Sequence, residues 1–312
     1  MIRLSTLCLI LMAAAARAEA PRVVADIAPV HSLVAQVMEG VAEPALIVPP
    51  GGDAHHLALR PSDARRIASA EVVIWVGPAL TPWMAEPIDA LAPTAATLTL
   101  LETPGWSRRE AVDGHDHGQG HDDQAGHGGG DGHDDAAHAD HAIDPHAWLD
   151  PQVAMVWVGA IRDTLSTTDP DNAALYAANA RRTLTGLKSL HDRISADLAS
   201  VQGGTWIAPH DAFGYFADRF ALPAAAAISD SEAEAPGPAH LAALQGMVQA
   251  GTVTCVLSET NGPTDYADLL TDGTDARQGV IDDTGMALTP GPALYGDLLT
   301  EIAATLKGCI AP

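Results

Sequence analysis

Residues 169–200 read DPDNAALYAANARRTLTGLKSLHDRISADLAS, and this stretch decides the architecture of the chain. Asp169 can cap a helix and Pro170 suits its first turn, so a helix is predicted to begin here. Its apolar periodicity lasts to the end of the stretch, and Gly203–Gly204 then stops it. A helix of about 30 residues spans roughly 45 Å at 1.5 Å per residue, which is long for a globular domain. We expect it to connect two lobes.

Short apolar runs alternate with helical stretches on both sides of this helix. Such alternation is typical of parallel sheets covered by helices. The predicted class is therefore α/β, with two α/β lobes of mostly parallel sheets at residues 19–168 and 201–312, joined by the connector helix at 169–200. Ligands of open α/β sheets gather beyond the carboxyl ends of the strands, which predicts a metal cleft between the lobes. The predicted strands are Val23–Ile27, Ala45–Val48, Val72–Val76, Trp206–Ala208, Ala224–Ile228, Val253–Leu257 and Gly279–Ile281.

The first 18 residues have the pattern of a secretory signal peptide. Arg3 precedes an apolar run, and the small residues Ala16 and Ala18 suit a cleavage site. The run is too short for a stable membrane-spanning helix, so we expect an exported mature protein that begins at Glu19. The full chain carries a formal charge of −24 at pH 7, which argues against nucleic-acid partners.

Two cysteines remain after the signal peptide, which contains Cys8. In an oxidising compartment such a pair usually forms a disulfide, so a Cys255–Cys309 bond is predicted. The alternative, a thiolate metal site, is less favoured because neither cysteine belongs to a C-x-x-C motif or lies close to a histidine in the sequence.

Residues 113–143 form a His-rich insert whose centre reads GHDHGQGHDDQAGHGGGDGHDDAAHADH. Imidazole suits zinc, copper and nickel, and the glycines and aspartates leave the segment too hydrated to pack a core. We expect a disordered segment that binds additional zinc weakly, with capture, sensing or buffering of zinc as its possible roles. The alternative is a solvated acidic linker. Its histidines are His115, His117, His121, His127, His133, His138 and His141.

Three further histidines lie near the ends of predicted strands or in loops. His55 follows the strand that ends at Val48, His146 lies in a loop after the insert, and His210 follows the strand Trp206–Ala208. A single histidine of this kind is more often a surface or capping residue, but three at such positions favour a metal site. Three imidazoles with a carboxylate or water would form a tetrahedral zinc site. Acidic candidates at a corresponding strand end are Asp282 and Asp283.

Four sequence blocks carry a resemblance to a known family. The mature chain resembles the zinc-binding subunit of bacterial zinc ABC importers, the ZnuA-like group of periplasmic metal-binding proteins. The resemblance implies His55, His146 and His210 as ligands and a disulfide in the carboxyl-terminal lobe. The blocks are Leu59–Asp63, Trp75–Pro78, His146–Pro151 and His210–Phe216.

The sequence departs from the family at the first ligand. Some members have a glutamate immediately before it, where this chain has Ala54. The fourth ligand is then water or Asp282, which aligns with the acidic ligand of related manganese and zinc binders; Asp53 and His56 are weaker candidates. Manganese-preferring relatives tend to have a carboxylate at the position of His210, and a third imidazole favours zinc.

The resemblance implies a high-affinity periplasmic zinc-binding protein that delivers zinc to an ABC permease. We expect a monomer, with a zinc metallochaperone as a second candidate partner. The alternatives are a periplasmic zinc buffer that acts without a transporter and a manganese-type binding subunit. A zinc hydrolase is disfavoured because the sequence has no HExxH motif, no G-x-S-x-G motif and no phosphate-cradling glycine loop, and we expect no enzymatic activity.

Overall fold

The computed structural model describes residues 19–110, 143–201, 203–229, 235–260 and 262–311. These residues form two four-stranded parallel sheets with helices around them, which confirms the predicted α/β class. The predicted signal peptide and nearly all of the His-rich insert lie outside the described residues. Among the helices that are described, none has the length and apolar character needed to cross a membrane.

The amino-terminal sheet has the strand order β2-β1-β3-β4. Its strands β1 and β3 are buried along their whole length, as expected of a parallel sheet with helices on both faces. The fourth strand was not predicted. It lies at the sheet edge, is only half-buried and contains two threonines, so it lacks a continuous apolar run. The elements are β1 Val23–Ala25, α1 Ala28–Val37, β2 Ala45–Leu46, α2 Pro61–Ser69, β3 Val72–Trp75, α3 Ala85–Leu91 and β4 Ala96–Thr99.

The carboxyl-terminal sheet repeats this arrangement, with the strand order β6-β5-β7-β8. In each sheet the first strand lies between the second and the third, so the strand order reverses beside it. Among the described residues, the α-helices α4 and α5 lie between the two sheets in sequence. The elements are α4 Pro151–Thr168, α5 Ala173–Leu198, β5 Trp206–His210, α6 Gly214–Arg219, β6 Ala226–Ser229, α7 Pro238–Gln249, β7 Cys255–Glu259, α8 Asp265–Thr271, β8 Arg277–Ile281 and α9 Leu294–Ile310.

The predicted connector helix corresponds to α5, which has 26 residues and follows a 3-10 turn at Pro170–Asn172. It packs with α1, α4 and α9 into a helical layer that is part of a core common to both sheets. Smaller apolar clusters cover the outer faces of the two sheets. The helix therefore joins the lobes through a shared core. Its buried face has residues that recur every three or four positions: Tyr176, Ala180, Thr183, Leu187, Leu190, Ile194 and Leu198.

The predicted disulfide is confirmed. Cys255, the first residue of β7, is bonded to Cys309 in α9 across a sequence separation of 54 residues. In the chain-entropy description, closing a loop of this length stabilises the fold by about 4 kcal/mol. The bond attaches the last helix to the carboxyl-terminal sheet.

Buried hydrogen bonds join the two halves of the chain. Ser32 in α1 accepts a hydrogen bond from the Tyr295 amide of α9, with an N···Oγ distance of 3.0 Å, and its hydroxyl donates to the Pro292 carbonyl at 3.1 Å. The Tyr295 hydroxyl donates to the Trp148 carbonyl at 2.7 Å. Because buried polar groups are costly to leave unpaired, these bonds fix the position of one sheet relative to the other.

Candidate metal centre

Three buried side chains meet at the junction of the two halves. Potential ligand atoms of His146, His210 and Asp283 all lie within 4.8 Å of one another. His210 is the last residue of β5, and Asp283 follows the end of β8 by two residues, so both come from the carboxyl edge of the second sheet. His146 belongs to the segment that leads into α4. This is the arrangement expected of a ligand site in an α/β fold.

Asp144 orients the imidazole of His146. One oxygen of its carboxylate, Oδ1, lies 2.9 Å from Nδ1 and also accepts a hydrogen bond from the His146 amide at 2.9 Å. An ionised carboxylate only accepts hydrogen bonds, so Nδ1 carries the proton and Nε2 keeps its lone pair. That Nε2 is buried and has no hydrogen-bond partner among the described residues. Since buried polar atoms normally have partners, it is the nitrogen that suits a metal ion.

Glu259 has the corresponding position beside His210. Its Oε1 lies 2.6 Å from His210 Nδ1, while His210 Nε2 lies 4.0 Å from Asp283 Oδ2. Glu259 ends β7, which pairs with β5, so these two residues flank the point where the strand order reverses. The sequence analysis missed Glu259. The signal that could have identified it was its position: Glu259 is an acidic residue at the carboxyl end of a strand that neighbours the strand of His210.

The segment Asp144–Asp150 reaches the second half of the chain through alternate residues. The indole nitrogen of Trp148 donates a hydrogen bond to the Asp283 carbonyl at 2.7 Å. The carboxylate of Asp150 binds the guanidinium of Arg219 through two contacts of 2.7 and 2.6 Å. One short segment thus carries a candidate ligand, the carboxylate that orients it and two connections to the second half of the chain.

His55 lies beside this group on the loop after β2. Its ring centroid is 5.8 Å from that of His146, which in turn is 5.4 Å from that of His210. Burial lowers the pKa of His55 to about 4, and proximity to His146 contributes further. The imidazole therefore stays neutral near pH 7, the form that binds metal.

The other acidic and histidine candidates are engaged elsewhere. Asp282 Oδ1 accepts hydrogen bonds from the amides of Thr284 and Gly285 at 3.0 and 2.7 Å, so this carboxylate shapes the loop after β8. Asp53 Oδ1 accepts from the His55 amide at 2.7 Å, and the His56 side chain is 59% exposed. Among the described residues, the potential ligand atoms that lie within 4.8 Å of one another belong to Asp283 and the two histidines, and Asp282 is not among them. Asp282 as the fourth ligand stays a prediction. Burial raises the pKa of Asp283, and the nearby histidines oppose this effect.

The seven histidines predicted to bind further zinc, His115 to His141, lie outside the described residues. Their role stays a prediction.

Comparison with known proteins identifies the family. The chain matches the ZnuA family, described as zinc-uptake complex component A, periplasmic, over residues 23–309. The chain belongs to the ZnuA family. It is 38% identical over 304 residues to the High-affinity zinc uptake system protein ZnuA of Paracoccus denitrificans (strain Pd 1222), covering 95% of this chain and 93% of that protein. The resemblance inferred from the four sequence blocks is thereby confirmed.

Solved structures show the same fold. The crystal structure of a ZnuA has a TM-score of 0.76 at 19% identity, covering 94% of this chain and 100% of that one. A manganese-bound mutant of a periplasmic metal binding protein from Candidatus Liberibacter asiaticus has a TM-score of 0.72, also at 19% identity, covering 93% of this chain and 99% of that one. At this identity the similarity shows the fold alone. The preference for one metal over another has to be argued from the donor atoms of the site.

Proposed function

We propose that this ZnuA-family protein binds zinc in the periplasm, at a site built from His146, His210, Asp283 and His55, and delivers it to an ABC permease. The observation that carries the proposal is the close approach of His146, His210 and Asp283, with the buried His146 Nε2 lacking a hydrogen-bond partner. The family description and the name of the Paracoccus relative, both of which specify zinc uptake, support the choice of cargo.

The donor set favours zinc over manganese. Imidazole is a borderline ligand that suits zinc, whereas manganese prefers oxygen donors. Three histidines and one carboxylate match the four-coordinate preference of zinc. The carboxylates of Asp144 and Glu259, each next to the Nδ1 of a ligand histidine, would orient the imidazoles and raise their basicity.

Zinc stoichiometry distinguishes an importer subunit from a buffer. Native mass spectrometry and chelator competition should be applied to the mature chain and to a variant that lacks residues 114–141. We expect the deletion to lower the number of bound ions while one tightly bound zinc remains, because the cleft ligands are preorganised and the insert ligands are not. A variant that loses its tight zinc with the insert would support the buffer instead. Zinc transport by permease-containing vesicles, with and without the protein, then tests delivery.

Two adjacent aspartates provide a matched test of the carboxylate ligand. We expect Asp283→Asn to weaken zinc binding by at least about tenfold, the lower bound for carboxylates that support metal sites. We expect Asp282→Asn to bind zinc almost as tightly as the native protein, because the amide oxygen can still accept from Thr284 and Gly285. Dissociation constants from chelator competition measure both. The reverse order would identify Asp282 as the ligand.

A further inference from the structure

We propose that Arg109 is a positioning residue for the metal site, acting through Asp144 on the ligand His146, and that Gly214 provides the space it needs. This inference rests on the proposed function, since it presupposes that His146 binds zinc. Arg109 lies just before the His-rich insert and takes no part in the ligand group described above.

Arg109 contacts Asp144 through both its side chain and its backbone. Its Nε lies 3.4 Å from Asp144 Oδ2, and its carbonyl accepts a hydrogen bond from the Asp144 amide at 3.0 Å. The other carboxylate oxygen, Oδ1, is the atom that holds His146 Nδ1. Asp144 is therefore fixed from one side by Arg109 and fixes His146 from the other.

The opposite end of Arg109 is attached to α6 in the second half of the chain. Its amide donates a hydrogen bond to the Tyr215 hydroxyl at 2.8 Å. Its Nη1 pairs with Asp218, and its Cζ lies 5.8 Å from the centroid of the Tyr215 ring. Arg109 thus links the orientation of His146 to the position of α6, the helix that follows the strand carrying His210.

Gly214, the first residue of α6, makes room for the guanidinium. A Cβ atom at this position would lie 2.5 Å from both Nε and Nη2 of Arg109 and 2.6 Å from its Cζ. No real Cβ contact is that short, so an alanine here must displace the guanidinium. The end of a long side chain can shift without unfolding the protein. Gly214→Ala therefore displaces Arg109 and keeps its charge.

The sign of the effect separates positioning from simple electrostatics. A guanidinium near a cation site repels the cation, so removal of its charge alone would strengthen zinc binding. Loss of positioning would weaken it, because His146 would no longer be held with Nε2 directed to the ion. Arg108 offers a matched control. It has the same charge one residue away, donates to the Leu101 carbonyl at 2.7 Å and lies over the Trp106 ring.

The experiment measures zinc affinity by chelator competition in the native protein, Arg109→Gln, Gly214→Ala and Arg108→Gln. The side-chain ¹⁵N and ¹H resonances of His146 in the metal-free proteins are recorded alongside. We expect Arg109→Gln and Gly214→Ala each to weaken zinc binding about tenfold and to change the Nδ1–H resonance of His146, while Arg108→Gln leaves both unchanged.

Three results would overturn the proposal. They are tighter zinc binding in Arg109→Gln, equal zinc affinities in Arg109→Gln and Arg108→Gln, or a His146 Nδ1–H resonance that is unchanged in both Arg109→Gln and Gly214→Ala. If Arg109→Gln fails to fold, Gly214→Ala carries the same test with the charge retained. Failure of the proposed function is distinguishable, because the native protein would then bind no zinc tightly.

Discussion

Replacing His146 with alanine is expected to weaken zinc binding by about a hundred- to a thousandfold. Structural zinc sites with four ligands bind with about 10–16 kcal/mol, so one ligand accounts for roughly 3–4 kcal/mol. His146 is central to the site, because its ring lies between those of His55 and His210. Its removal also leaves the 5%-exposed carboxylate of Asp144 without its imidazole partner. Competition with a chelator of known affinity measures the change.

His56→Ala is the matched control for this experiment. It removes the same kind of side chain from the neighbour of His55, but this side chain is 59% exposed and pairs with Asp53, away from the ligand group. We expect its zinc affinity to equal that of the native protein. Nanomolar binding retained in His146→Ala would rule out the proposed site.

Zinc is expected to stabilise the protein far more at pH 7 than at pH 5. A ligand that binds only the folded state adds RT ln(1 + [L]/Kd), so a thousandfold excess of free zinc over Kd contributes about 4 kcal/mol. Ligand imidazoles and carboxylates must lose their protons before binding, so acid raises the apparent Kd. A hundredfold rise between pH 7 and pH 5 would reduce the contribution to about 1.4 kcal/mol. Thermal unfolding at several free zinc concentrations measures this contribution at each pH.

The lowered pKa of His55 limits how many protons compete. With a pKa of about 4 in the folded protein, His55 stays neutral at pH 5, so the histidines contribute at most two competing protons between pH 7 and pH 5. The unfolded chain protonates this residue near pH 6.5. The unfolded state then binds more protons between about pH 6.5 and 4, so the metal-free protein itself loses stability as pH falls through this window.

Zinc-dependent shifts must therefore be compared with the metal-free protein at the same pH. A zinc-induced stabilisation of equal size at pH 7 and pH 5 would contradict coordination by protonatable ligands. If three histidine protons competed with zinc between pH 7 and pH 5, this result would contradict the lowered pKa of His55.

The sequence by itself determined the fold class and predicted the three histidines of the candidate site. Alternating apolar runs and helical stretches predicted the two parallel sheets, because burial of both sheet faces requires that pattern locally. The two cysteines that remain after the predicted signal peptide predicted the Cys255–Cys309 bond. Histidines near strand ends predicted a cluster between the halves, because parallel strands bring their carboxyl ends to one edge.

Only the tertiary structure distinguished Asp283 from Asp282. Both aspartates follow β8 and both are buried, so neither composition nor spacing separates them. The loop after β8 turns one carboxylate toward the amides of Thr284 and Gly285 and leaves the other beside His210. Strand β4 escaped prediction for a related reason: it lies at the sheet edge and is only half-buried, so its sequence has no continuous apolar run.

The contacts that support the site were likewise decided by the tertiary structure. Glu259 meets His210 because β7 pairs with β5. Arg109 meets Asp144 across the insert within the first half, and it meets Tyr215 and Gly214 because the two halves pack together. Each of these pairs joins residues that are separated by at least 35 positions in the sequence. A sequence pattern records local periodicity and residue chemistry, whereas such contacts depend on the fold that brings distant segments together.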